Sequence, residues 1–190
     1  SNDSLKMRQI TYAFSSDSYN SSDRTIISDH ITYPGFDTIA YQVTPDAMIW
    51  VRRSDGVVPA LTYEAEQEVA AWQRAIVPTG TAAKVLNIET LPGDDGDILY
   101  CLVSRTINGA TRVHVEKLSQ IFTYNDAKED ATCVDSWLTY SGSATTTITG
   151  LWHLEGESVD ALADGSQVLA LTVTNGTVTL PLAASKVSVG

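Results

Sequence analysis

Met48-Ile49-Trp50-Val51-Arg52-Arg53-Ser54-Asp55-Gly56-Val57-Val58-Pro59-Ala60-Leu61-Thr62-Tyr63 is the run whose reading decides the fold class. Four β-favouring apolar residues lead into Asp55-Gly56, a pair that tolerates the positive φ angles of a two-residue hairpin turn. A β-rich segment, Val57 to Tyr63, then returns. Its Pro59 has no N–H to give to a sheet, which confines it to an edge strand or a bulge. Upstream, Ile39, Tyr41 and Val43 alternate before Pro45-Asp46 turns the chain. Downstream, Glu64-Ala65-Glu66-Gln67 marks another turn, and Glu68 to Ile76 reads as a further strand ending near Pro78.

The same order of parts follows a second time. Val85 to Thr90 reads as a strand, Gly93-Asp94-Asp95-Gly96 as a turn and Ile98 to Ser104 as a strand, with Asn108-Gly109 closing a hairpin into Thr111 to Leu118. Gly56 and Gly109 stand 53 positions apart (109 − 56). Several strands repeated at roughly 40–50 residues are the pattern of a β-propeller blade. Residues 1–124 are therefore expected to form partial β-propeller-like repeats, with a short helix near Ser22 to Ser28 capped by Ser21, Ser22 or Asp23.

Asn125 to Thr132 is polar and charged, so residues 125–134 are expected to be a linker. Residues 135–190 hold short Thr- and Val-rich segments: Thr145 to Thr149, Ser158 to Ala163, Val168 to Thr174 and Thr177 to Pro181. Gly156, Asp164-Gly165 and Asn175-Gly176 punctuate them. That spacing predicts a small β-barrel or β-sandwich domain. The whole chain is expected to be all-β.

Composition restricts function. With 23 acidic against 12 basic residues and a formal charge of −11 over 190 residues, the surface is unsuited to gripping nucleic acid by its phosphates. Like charges repel within a Debye length of about 8–10 Å, so an acidic surface suits a passage through which DNA moves without sticking. The longest apolar runs, Ala47 to Val51 and Val168 to Leu171, fall far short of the roughly 20 residues of a membrane span. Ser1-Asn2-Asp3-Ser4 opens no basic or apolar leader pattern, and the missing initiator Met points to an excised fragment or a processed product. Cys101 and Cys133 make no disulfide framework and are expected to be reduced.

No catalytic set is expected. Glu64, Glu66 and Glu68 would share one face of an extended strand. A glycosidase needs two carboxylates about 5–10 Å apart on opposite sides of its substrate, so a solvated hairpin end is the expected role. Asp94, Asp95 and Asp97 resemble a calcium loop in composition but lack its closing Glu. His30, His114 and His153 have no zinc-ligand spacing, and no phosphate-binding or nucleophile-elbow motif occurs. No cofactor or metal is expected. Trp50 and Trp72 lie in apolar strand runs and are expected in the core. Trp137 and Trp152 remain as candidate interaction residues, together with Glu64, Glu66 and Glu68.

Several stretches carry a family resemblance: Trp50 to Val57, Leu61 to Trp72, Arg105 to Gly109, Gly150-Leu151-Trp152-His153-Leu154-Glu155-Gly156 and Ala163-Asp164-Gly165. Together they resemble the tail tubular B, or nozzle, proteins of short-tailed bacteriophages and related prophages, over most of the chain from about residue 30 onward. The resemblance implies a hexameric virion tail component, assembled in the bacterial host cytoplasm. It also implies contacts with other tail and head–tail connector proteins, and DNA that leaves through the tube without specific binding. Two other expectations stand beside it: a module binding glycan or host surface through Trp152, Trp137 or loop tyrosines, and a carbohydrate-active enzyme using Glu64, Glu66 or Glu68 with Asp94 or Asp97.

Overall fold

The computed structural model describes residues 5–119 and 122–190; the opening Ser1–Ser4 lie outside it. Strand accounts for 59% of the chain and helix for 5%, so the all-β expectation holds. Two compact units divide the chain. One comprises the described part of Ser1–Pro78 with Lys84–Val103, and the other Thr79–Ala83 with Ser104–Gly190. The segment 125–134 falls inside the second.

The first unit opens on a hairpin of β1 (Arg8–Ala13) and β2 (Ser18–Asp23), paired from Arg8↔Asp23 to Ala13↔Ser18. The helix expected at Ser22 to Ser28 is displaced to α1 (Asp29–Thr32). The Asp23 carboxylate accepts from Thr25 N–H (2.8 Å) and Thr25 Oγ1 (2.5 Å), and this local turn ends β2 and diverts the backbone from helix. Four antiparallel strands follow in sequence order: β3 (Phe36–Gln42), β4 (Met48–Arg53), β5 (Val58–Glu64) and β6 (Val69–Ile76).

Asp55-Gly56 does join β4 to β5, but through three loop residues. Arg53 N–H donates to Val57 O, and Gly56 alone takes a positive φ, +91°. That is the three-residue hairpin with glycine in its last position. A Cβ on Gly56 would also lie 2.8 Å from Lys84 Cβ, so any side chain is excluded. Pro59 occupies an inner strand, and the register slips between Val58 and Pro59, the bulge that a missing N–H demands.

Strands β7 (Lys84–Gly93), β8 (Gly96–Ile107) and β9 (Ala110–Lys117) form a three-stranded sheet in that order, and the division between the units falls within β8. The core of the first unit contains Ala40, Trp50, Val58, Ala60, Val85, Ile88, Leu99, Cys101 and Val103. Each fully buried aliphatic side chain there contributes about 1.5–3 kcal/mol.

In the second unit a 3-10 turn, Lys128–Asp130, precedes β10 (Leu138–Thr149). A second 3-10 turn, Trp152–Leu154, precedes β11 (Ser158–Ala163), β12 (Ser166–Thr172) and β13 (Thr177–Val189). They form an open four-stranded sheet in the order β10-β13-β11-β12, not closed into a barrel as one expectation had it. Closure would need the edge strands β10 and β12 to pair with each other, and they do not. β13 pairs with β10 on either side of an irregularity that leaves Leu180–Ala183, with Pro181, outside the ladder, and it meets β11 only at Val187–Val189, so nothing asks the proline for a hydrogen bond. Ile148, Leu151, Val173, Val178, Leu180, Val187 and Val189 are among the residues of its core.

Candidate functional site

The carboxylates read as a possible catalytic set do not share a strand face. Glu64 ends β5, while Glu66 and Glu68 lie in the exposed turn to β6, with Glu68 at φ +56°. Asp94 and Asp95 are exposed at the β7–β8 turn. Asp97 is turned away from them, its Oδ2 accepting from Val43 N–H (2.7 Å) and Thr44 N–H (3.3 Å). Among the described residues no group of three His, Cys, Asp or Glu side chains is arranged to hold a metal. Neither Cys101 nor Cys133 is in a disulfide.

The tryptophans separate cleanly. Trp50 is buried, donating from Nε1 to Gln42 Oε1 (2.8 Å), and Trp72 is half-buried, donating to Arg24 O (2.7 Å). Trp50 belongs to the core of the first unit, as its apolar run suggested, whereas Trp72 is not among the residues of that core. Trp137 is half-buried, whereas Trp152 is 62% exposed.

The position of Trp152 is built by its neighbours. Leu151 and Leu154 are sunk in the core of the second unit and fix the 3-10 turn that carries it. Leu151 N–H donates to Gly176 O at 2.9 Å. Asn175 and Gly176 form a two-residue hairpin turn with φ +52° and +65°, closed by reciprocal Thr174 and Thr177 backbone bonds. The Glu155 carboxylate accepts from both turn amides, Oε1 from Asn175 N–H (2.8 Å) and Oε2 from Gly176 N–H (2.6 Å). A Cβ on Gly176 would lie 2.5 Å from Trp152 Cδ2 and 2.6 Å from Cε2, so the fused bond of the indole sits over a bare glycine.

The second unit also contains a polar node that sequence reasoning missed. Arg105, 2% exposed, donates through Nε to Thr79 O (3.0 Å) and through its two terminal nitrogens to Glu116 and Ser136 Oγ. Ser136 Oγ in turn donates to Glu116 Oε2 at 2.9 Å. His153 Nε2 donates to Ser136 O (2.6 Å), and the rings of His153 and His114 lie edge to face with centroids 6.0 Å apart. His114 Nε2 is buried with no hydrogen-bond partner among the described residues. On β9, His114 and Glu116 are thus drawn inward while Val113 and Val115 face solvent, the reverse of an ordinary half-buried strand.

Burial pushes the Glu116 carboxyl up, but Arg105 and Ser136 outweigh it and hold the group below the usual carboxylate range. Burial, then the neighbouring His153 and Arg105, lower His114, with Glu116 opposing. The node has the character of a clasp: the Glu116 carboxylate is paired with the Arg105 guanidinium and Ser136 Oγ, and the same residues tie β8 and β9 to the segment before β10. Near it, a cleft of about 330 Å³ is lined by residues including Cys133, Asp135 and Glu157. Glu157 Oε1 is engaged by Thr81 N–H (2.9 Å) and Thr81 Oγ1 (3.1 Å).

An exposed aromatic cluster of the first unit lies on the β1–β2 hairpin. Opposed residues of an antiparallel pair share a face, which puts Ile10 and Tyr12 with Ser21 and Tyr19 on one side and Gln9, Thr11 and Ala13 on the other. The apolar side faces water. Ile10 is 69% exposed, Tyr19 74% and Phe14 89%, and Tyr12 touches both aromatic neighbours edge to face at 5.3 and 6.5 Å. Polar contacts at its base hold the hairpin: Arg24 donates to Gln9 Oε1 and lies over the Tyr63 ring at 5.5 Å.

No protein-family model matches the chain, and no curated protein matches it.

Proposed function

We propose that this chain is a structural component of a bacteriophage or prophage tail, of the tubular or nozzle kind, that works by packing against further subunits rather than by catalysis. The observation that carries the reading is the β1–β2 hairpin. A two-stranded hairpin is marginal in water, and this one directs its aromatic face outward, where it gains nothing until another surface covers it. The outward valines of β9, Val115 above all, at 72% exposed, add a second uncovered strand face. Open sheet edges are aggregation hazards unless an assembly occupies them, and repeated copies in a ring or tube do so.

The sequence resemblance supports the same reading, and with it a hexamer, tail and connector partners, and a place in the virion. The β3–β6 meander has the up-and-down, four-stranded form of a propeller blade, which favours propeller-like repeats in the assembled protein. The charge of −11 fits a passage for DNA that does not retain it. Negative-stain microscopy of the longest natural form of the protein tests this reading. Rings or tubes are the expected result, and a strict monomer at high concentration would overturn it.

A further inference from the structure

We infer that Trp152, seated on the Asn175-Gly176 turn, is a binding platform for a neutral pyranose sugar whose substituents are equatorial. An exposed tryptophan is ordinarily a mobile side chain. Here one face of the indole rests on a residue without a side chain, its fused bond above Gly176, while 62% of the residue stays open to solvent. That contact restricts the ring on one side, so less ordering entropy is left to lose on binding than for a loose side chain. Glu155 clamps the turn beneath it through both amides, and Leu151 ties the turn to the 3-10 segment by a backbone bond.

The chemistry around the ring selects the ligand. Neither Trp152 Nε1 nor the Asn175 side-chain amide makes a hydrogen bond among the described residues, so two polar groups accompany the apolar face. The ring is largely open to solvent, and a wholly apolar ligand needs most of its surface buried to bind. A pyranose with equatorial hydroxyls suits an open platform: its axial C–H bonds form an apolar face for the indole, and its hydroxyls meet the polar rim while staying wet. Acidic sugars are disfavoured by the Glu155 carboxylate and by the net charge of −11. A single open platform gives a dissociation constant on the order of 1 mM for one sugar ring, with affinity growing through repeated copies of the site in an assembly.

This inference uses none of the residues on which the proposed tail role rests and fails separately from it. The test is titration of ¹⁵N-labelled protein with tri-N-acetylchitotriose and cellotriose as neutral equatorial probes, with trigalacturonic acid as the acidic control. The Trp152 indole signal is identified by its loss in Trp152→Phe. The expected result is a saturable shift of that signal and of the Asn175 and Gly176 amides with at least one neutral probe, none with the acid, and loss of the response in Trp152→Ala. Trp152→Ala should sediment as the parent protein does. No shift with either neutral probe, a shift that persists in Trp152→Ala, or loss of association in that variant would overturn the platform, the last by making Trp152 a subunit contact.

Discussion

At the scale of single residues, the Arg105 clasp governs how the second unit responds to substitution and to acid. Removing one partner of a buried ion pair leaves the other charge uncompensated, which costs about 3–5 kcal/mol. Arg105→Ala strands the half-buried Glu116 carboxylate and the Thr79 carbonyl, so denaturant unfolding should show a loss of about that size, whereas Lys6→Ala, at an exposed and solvent-screened pair, should change stability far less. The histidine gives a pH signature. His114 has its folded pKa below its ordinary value, so the unfolded chain takes up the proton first as pH falls, and stability declines from just above pH 6.5 down to the folded value. Glu116, depressed in the folded state, adds a second loss at lower pH, as the pH drops from about 4.5 to its folded value. Thermal melts of His114→Gln should lose the first decline and keep the second; an unchanged profile would remove His114 from the account. None of this was legible in the chain order, because Arg105 and Ser136 are 31 residues apart and only the fold brings them together.

At the scale of elements, turn chemistry was the most readable signal. Asn108-Gly109, Asp164-Gly165 and Asn175-Gly176 all take the paired positive φ angles that their composition suggests, and each joins the strands on either side. The same dipeptide does different work in different places. A side chain on Gly109 would meet nothing within 4 Å, while one on Gly176 would strike the Trp152 ring. Gly109→Ala should therefore cost only the backbone strain, about 1–2 kcal/mol. Gly176→Ala should cost more and change the Trp152 fluorescence, which equilibrium unfolding followed by emission will separate. Periodicity misled where local side chains or proline intervened: Asp23 stops the helix expected at Ser22 to Ser28, and β13 continues well past Pro181 because Leu180–Ala183 lie in an irregularity of its ladder with β10, where no hydrogen bond is asked of the proline. The exposed aromatic face of β1–β2 was hidden for a related reason. Alternating apolar residues reveal that one face differs from the other, but not which of the two the rest of the chain will cover.

For the whole molecule, the central claim is that this acidic all-β chain completes itself by association. Tyr12, Phe14 and Tyr19 form one uncovered aromatic cluster on a hairpin held mainly by polar contacts at its base, and the Trp152 platform lies on the other unit. Replacing the three by serine removes apolar area that faces water, so the variant should fold with stability near that of the parent yet lose its drive to assemble. Like-charged subunits repel, so association of the parent should strengthen with added salt if the contact is apolar. Sedimentation velocity across a concentration series, comparing the parent with the Tyr12, Phe14 and Tyr19 to serine variant, is the most direct measurement. A parent that forms discrete higher oligomers and a variant that stays monomeric are predicted. A parent that remains a monomer at every concentration, or a variant that assembles equally well, would contradict the account.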